Sequence, residues 1–437
     1  MSQPQTGTGW VGGAAAHPAL RRCIGLLPEQ FAADYWSRRP LLSPSAELPG
    51  GFEDLLTLDD VDELVSRRGL RTPFLRIAKN GEVVAAARFT GSGGAGAQIA
   101  DQVSDDRVLE LFADGATLVL QGLHRLWPPL IDFAAALVSD LGHPVQINAY
   151  VTPAQSQGFS AHYDVHDVFV LQLAGTKRWM IHPPVLTDPL RTQPWTDRRT
   201  DVAGAAEGPP QIDAVLKPGD ALYLPRGWLH SAVAQGEVSG HLTVGVHTMT
   251  RYAFVEALLE QAADDPALRR SLPFGVDASD AASMDVEISA TVERLSAALA
   301  GFDTARAADR VRRQLWSATR PAPLSPIAQV AAAAQLTAAT SIRRRAHLRH
   351  TVQVGPDRVT IAVTNRTVVF PAGTGPAVAR ALAGPPVLVS ELPDLGVDEQ
   401  LLVARRLLHE GLVVADQPLG QQPPGDREPA EPTHVLG

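Results

Sequence analysis

Residues 158–179 read GFSAHYDVHDVFVLQLAGTKRW. A histidine and an aspartate two positions apart lead into the apolar run VFVLQL, a glycine-bearing turn signal, and then a lysine beside an aromatic. Outward from this stretch, residues 145–250 break into short apolar segments separated by turn signals and punctuated by Gly and Pro: VQINAYVTP, SAHYDV, VFVLQL, KRWMIHP, AVLKPG, DALYLP, HSAVAQG and HLTVGVHT. Short runs rich in β-branched and aromatic residues between such punctuation are strand signals. Eight of them at close spacing predict a double-sheet jelly roll or barrel with its core at about 145–250.

The flanks have a different texture. Before the barrel, LPEQFAADYWSRRPLL, TLDDVDELVSRRG and PPLIDFAAALVSDL carry helical periodicity, while FLRIA and TLVLQG read as strands. This mixed segment joins the barrel in one α+β domain expected to span residues 1–250. From 251 to 350 the pattern is helical throughout, with apolar stripes at Phe254, Leu258 and Leu259 and at Val292, Leu295 and Leu299. Such stripes must be buried against the barrel or a second copy of the chain. Residues 351–415 read as a small α+β unit, and the Pro-rich 416–437 as a disordered tail.

Composition excludes several functions. A net charge of −9 over 437 residues disfavours nucleic acid and anionic membranes. Residues 351–415 hold five Arg and no Lys against six Asp or Glu, so no direct DNA binding is expected of them. The single cysteine, Cys23, leaves no internal disulfide framework and reads as a small buried hydrophobe. No apolar run is long enough to span a bilayer, and the start MSQPQTGTGWVGGAAAHPAL lacks the charge and the apolar core of a leader. The expectation is a cytoplasmic protein.

On a strand, His162 and Asp164 face the same way and could grip one ion from adjacent pleats. A surface pair on an edge strand would look the same, so a third donor is needed. His230, in LKPGDALYLPRGWLHSA at 216–232, opens a strand of the same barrel and is the candidate. Two imidazoles and a carboxylate leave three positions of an octahedral iron(II) free for cosubstrate, oxygen and water. A zinc ion with a hydrolytic water would accept the same donors. Lys177 begins a strand of that barrel, where a buried cation needs an anionic partner such as a dicarboxylic cosubstrate. From spacing alone, a lysine pointing to solvent beside Arg178 is as good a reading. Asn148 and Thr243 sit on strands that should line the same cavity, and both are ordinary barrel residues on strand parity alone. His166 reads as a rim residue, His182 as structural, and RRRAHLRH at 343–350 as a solvated helix end.

AYVTPAQSQGFSAHYDVHDVFVLQLAGTKRWMIHPP, LKPGDALYLPRGWLHSA and the upstream FAADYWSRRPLL together resemble the JmjC-type ribosomal oxygenases, up to about residue 415. The resemblance implies a JmjC (cupin) double-stranded β-helix, a helical dimerisation region at 251–350 and a winged-helix-like domain at 351–415. It implies iron(II) held by His162, Asp164 and His230, with 2-oxoglutarate as cosubstrate and molecular oxygen as oxidant. Lys177 would pair with the distal carboxylate of 2-oxoglutarate, and Asn148 would stand on the active-site wall. The substrate would be a ribosomal protein, hydroxylated on arginine or histidine by a homodimer. The insertion TDPLRTQPWTDRRTDVAGAAEGPPQID at 187–213 and the loop after His230 lie where substrate choice is expected. A small-molecule oxygenase on the same barrel, or a ligand-sensing DNA-binding regulator, are the other readings. The complete set of three donors argues against the regulator.

Overall fold

The structure, a computed structural model, describes residues 17–79, 81–96, 98–156 and 159–416. The tail expected from 416 onward therefore lies, past Asp416, outside the described residues. The chain divides into two compact units between Thr319 and Arg320.

The first unit is built on one sheet of nine strands: β1 (Leu41–Ser43), β2 (Leu75–Lys79), β3 (Glu82–Val83), β4 (Thr117–Leu120), β5 (Val145–Thr152), β6 (Asp167–His182), β7 (Ile212–Leu216), β8 (Ala221–Leu224) and β9 (Leu229–Val246). The order is β1-β8-β6-β9-β5-β4-β2-β3, with β7 also paired to β6, and every pairing is antiparallel. Helix α1 (Pro28–Asp34) and helix α2 (Leu58–Arg67) precede the barrel, the latter opened by a capping box between Thr57 and Asp60. Helix α3 (Pro128–Leu141) starts on Pro, buries Leu130, Phe133, Ala134 and Leu137, and stops at Gly142 in the left-handed region. That stop delivers the chain into β5.

The strand count differs from the sequence reading. VFVLQL and KRWMIHP are one 16-residue strand, β6, and HSAVAQG and HLTVGVHT are one 18-residue strand, β9. Gly175, read as part of a turn, lies inside β6 at φ 57°, and a Cβ there would strike the backbone of Val238. The β6–β9 register shifts opposite it, between Gln235 and His241. A bulge of this kind bends paired strands sharply without ending them. SAHYDV is not a strand: His162 makes an isolated bridge to His230, and Asp164 lies in the irregular segment before β6.

Residues 252–318 belong to the same unit as helices α4 (Tyr252–Ala262), α5 (Ala281–Leu299) and α6 (Thr304–Ala318). Ion pairs Arg294–Asp265, Arg306–Asp264 and Arg310–Glu260 tie them together. No described helix is long and apolar enough to cross a membrane.

The second unit begins earlier than residue 351. Helix α7 (Pro326–Ala334) and strand β10 (Ser341–Arg344) bury Ala333 and Ile342 in one core with Val359, Phe370, Val378 and Leu408. The expected helical stretch to 350 is corrected accordingly, because Ile342 alternates inward on a paired strand. The unit holds β11 (His350–Val354), β12 (Arg358–Val363) and β13 (Arg366–Pro371) as one antiparallel sheet. Strand β14 (Val387–Leu388) and strand β15 (Val413–Ala415) flank β10 in another, with α8 (Gly375–Leu382) before β14 and α9 (Val397–His409) between β14 and β15 in sequence. The arginines of RRRAHLRH are not a solvated helix end. Arg343 pairs with Asp416, Arg344 donates to the carbonyl of Leu382, and Arg345 to that of Ala322.

Candidate functional site: a histidine–aspartate cage and two joined cavities

The backbone sets the cage. His162 N–H donates to the His230 carbonyl at 3.2 Å and His230 N–H returns a bond to the His162 carbonyl at 2.8 Å. Gly227 N–H donates to the Asp164 carbonyl at 3.0 Å, from a φ of 88° that leaves no room for a side chain beside the Leu186 carbonyl. Beneath them the fully buried Asp167 accepts from Tyr223 Oη at 2.5 Å, from Arg226 N at 3.1 Å and from Ser37 Oγ at 3.2 Å. One buried carboxylate thus locks the segment that carries Asp164 to the turn that carries His230.

The result is that ligand atoms of His162, Asp164 and His230 all lie within 4.8 Å of one another. Each imidazole has its Nδ1 against a carbonyl oxygen, Ser160 at 2.8 Å for His162 and Trp228 at 3.1 Å for His230. A carbonyl can only accept, so both Nδ1 atoms carry the proton and both Nε2 lone pairs are free for a cation. His230 Nε2 stands 3.7 Å from Asp164 Oδ2. Burial, with the neighbouring His162, pulls His230 down to about 4, which keeps its ring neutral. Burial alone would raise Asp164, but His166, His230 and His162 outweigh it and hold the carboxyl below its usual value.

The cage opens into a cavity of about 490 Å³ that is also lined by Lys177, Trp179, His241, Thr243, Tyr150 and Trp195. Lys177 is 4 % exposed. It lies inside β6, opposite Ala234, rather than at the start of a strand, and shares its face with Trp179. Its Nζ donates to Thr152 Oγ1 at 3.1 Å, and it makes no ion pair with a described residue. Burial lowers it from 10.5 to about 7. Beside it, His241 stacks on Tyr150 at 5.2 Å and meets the edge of Trp179 at 5.4 Å. Trp179 Nε1 and His241 Nδ1 are buried with no hydrogen-bond partner among the described residues. Burial and the Lys177 charge push His241 well below its usual value, and burial lifts Tyr150 to about 12.

A second cavity, about 630 Å³, shares Arg76, Tyr150, Asp164 and Thr243 with the first. Thr243 therefore lines both. Asn148 lines only the second, its Oδ1 held by Gly122 N–H at 3.0 Å, so its expected place in the cage cavity is corrected. His166 is a rim residue, stacked on His247 at 5.2 Å. Tyr150, His241, Trp179 and Arg76 escaped the sequence reading. Arg76 pairs with Val119, Val119 with Tyr150 and Tyr150 with His241, so they meet only through the register of four strands. Trp195 and Arg191, by contrast, lie in the 187–213 insertion already marked as a determinant of substrate choice.

Residues 128–254 match the family model of the JmjC domain. Ribosomal oxygenase 1 of Gallus gallus is 30% identical over 284 residues, 61% of this chain and 44% of that protein. The bifunctional lysine-specific demethylase and histidyl-hydroxylase NO66 of Drosophila persimilis is 37% identical over 139 residues, 30% of this chain and 19% of that one. The chain spans less than half the length of these curated relatives. Among solved structures, YcfD, a ribosomal oxygenase from Escherichia coli in complex with cobalt and succinic acid, has the same fold. The TM-score is 0.50 at 14% identity, over 90% of this chain and 99% of that one. The chain therefore carries a JmjC domain of the kind found in ribosomal oxygenases.

Proposed function

We propose that the protein is an iron(II)- and 2-oxoglutarate-dependent oxygenase that hydroxylates a side chain of a ribosomal protein. The observation that carries this reading is the opening of one cavity onto two unlike features: the His162–Asp164–His230 cage and the buried, anion-seeking Lys177. Two imidazole nitrogens and one carboxylate suit a divalent first-row metal and leave coordination positions open. Lys177, with the orphaned Trp179 Nε1 and His241 Nδ1 nearby, suits the oxygens of a dicarboxylic acid. Cobalt and succinic acid in the YcfD structure agree with this assignment.

Iron with 2-oxoglutarate and oxygen supplies the oxidising power, turning C–H into C–OH with succinate and carbon dioxide as co-products. The chain's residues do the rest. His162, Asp164 and His230 hold the metal in one orientation, fixed by their backbone bridge. Lys177 fixes the far end of the cosubstrate, while Trp179, Tyr150 and His241 exclude water around it. Thr243 and Asn148 stand on the wall along which the target side chain enters. The adjoining cavity reaches the exposed Arg125 and Arg191, room that a polypeptide substrate needs and a small metabolite does not.

The same reading makes the chain a homodimer through residues 251–319. Helix α5 has no buried residue, and Ile288, Val292 and Leu299 are exposed along one of its stripes. Residues 351–415 are read as a winged-helix-like module without DNA contacts, and the cytoplasm as the compartment of the reaction. The test is oxygen-dependent formation of succinate by the iron-loaded protein, with and without a ribosomal protein fraction. Mass spectrometry should find one added oxygen atom on one residue. Succinate formation that no protein stimulates, with no modified residue, would turn the assignment toward a small-molecule oxygenase.

A further inference from the structure

The second cavity has a charge of its own. Arg76, Arg125 and Arg191 line it together with His124, His166 and His247, and the only carboxylate among its described lining residues is Asp164, which belongs to the cage. Among the described residues none of the three guanidiniums is ion-paired, whereas Arg22, Arg178 and Arg226 elsewhere in the unit each have an aspartate. Arg76 Nε is buried with no hydrogen-bond partner among the described residues, its guanidinium lying 5.5 Å from the Phe159 ring. The local field is felt by His247, which burial and the neighbouring His166, Arg191 and His124 lower to about 4. A protein of net charge −9 thus keeps three unpaired arginines on the path to its cage.

Resting on the reading of this site as a protein hydroxylase, we infer that the groove recognises a carboxylate in the substrate beside the target residue. The target side chain itself would then be uncharged. A cationic target would have to pass three guanidiniums of like sign, which strongly disfavours it. A flanking Asp or Glu, or a C-terminal carboxylate, instead meets planar donors suited to bidentate contact. Arg76, shared by both cavities, sits nearest the chemistry; Arg125 and Arg191 are exposed and farther out. Their place on the rim makes them readers of sequence around the target rather than of the target.

Peptide binding tests this without turnover, on the full chain loaded with iron(II) and 2-oxoglutarate under nitrogen. Fluorescence anisotropy would compare peptides with a central histidine flanked by Glu, by Gln or by Lys, all C-terminally amidated, with a Gln-flanked free acid as the arm for a terminal carboxylate. We expect Glu-flanked or free-acid peptides to bind about tenfold tighter than Lys-flanked ones, and the margin to shrink as salt rises. Arg125→Glu with Arg191→Glu should abolish or reverse the preference; both residues are exposed and unpaired, and Arg125→Gln with Arg191→Gln serves as the milder pair. Equal binding of all peptides, preference for the Lys-flanked one, an unchanged preference in both double variants, or tighter binding of a single-stranded RNA oligomer would overturn the inference. Acid preference without hydroxylation of any peptide in air would sink the hydroxylase reading and leave the groove's carboxylate recognition standing.

Discussion

His162, Asp164 and His230 are held by their own backbone, so each side chain can be removed without unfolding the barrel. Alanine at any of the three should abolish succinate formation and cut iron binding while leaving circular dichroism unchanged. Full turnover with unchanged metal content in any of them would refute the cage. Lys177 answers to a different measurement. Lys177→Ala should raise the 2-oxoglutarate requirement about 10- to 100-fold, the worth of a charge-assisted contact, with metal binding retained. In the free protein Lys177 loses its proton through about pH 7. Paired with a carboxylate it would keep that proton to higher pH, so cosubstrate affinity should be level below pH 7. Above it, affinity should fall by up to about tenfold per pH unit, and titration calorimetry in buffers of differing ionisation heat should show proton uptake. The cage was legible because His-x-Asp and a later His after a Pro-Arg-Gly-Trp turn carry their chemistry in the residue types. Tyr150, Trp179 and His241 were not, since an aromatic on a strand is ordinary core until its cross-strand neighbour is known.

At the scale of elements, the strands were legible and their ends were not. Gly and Pro were taken as stops throughout, which holds at Gly142 and in the turn through Gly227 but fails at Gly175, where the glycine bends a continuing strand. Local sequence does not distinguish the two cases, because the difference lies in Val238 on the partner strand. Gly175→Ala should cost about 2 kcal/mol or more in stability, from the positive φ and the backbone collision together. Urea unfolding would measure it, and a change within error would show that the strands part freely there. Asp167→Ala should cost about 1–3 kcal/mol, because it leaves the Tyr223 hydroxyl and the Arg226 backbone N–H buried without their acceptor, while the Arg226 guanidinium keeps Asp188. It should also lower iron affinity, since Asp167 ties the two cage segments together.

For the molecule as a whole, the division at Thr319 was misplaced in the sequence although the Pro-rich RPAPLSP at 320–326 marks it, because α7 beyond it reads as one more helix of the same run. Only shared burial with β12 and α9 assigns α7 and β10 to the second unit. The exposed stripe of α5 makes the assembly prediction concrete. Light scattering should give a dimer at micromolar concentration, and Ile288→Glu with Val292→Glu should give a folded monomer. A wild-type monomer would remove the dimer.

The insertion between β6 and β7 has a further consequence. Its two ends are stitched together, Ile181 against Ile212 in the ladder and Gln211 N–H to the Ile181 carbonyl at 2.7 Å. Residues 183–210 therefore leave the sheet and return to it at one rung, and a change in their length costs little closure entropy. Arg191 and Trp195 stand on this loop, and it also packs on the cage segments: Tyr163 Oη donates to the Gln193 carbonyl at 3.0 Å, Val202 is buried with Tyr163 and Leu229, and Asp188 pairs with Arg226. The corresponding loop of a relative, grafted between Ile181 and Ile212, should carry its donor's selectivity onto this barrel when the residues facing Tyr163, Leu229 and Arg226 are kept, and should lower iron affinity when they are not.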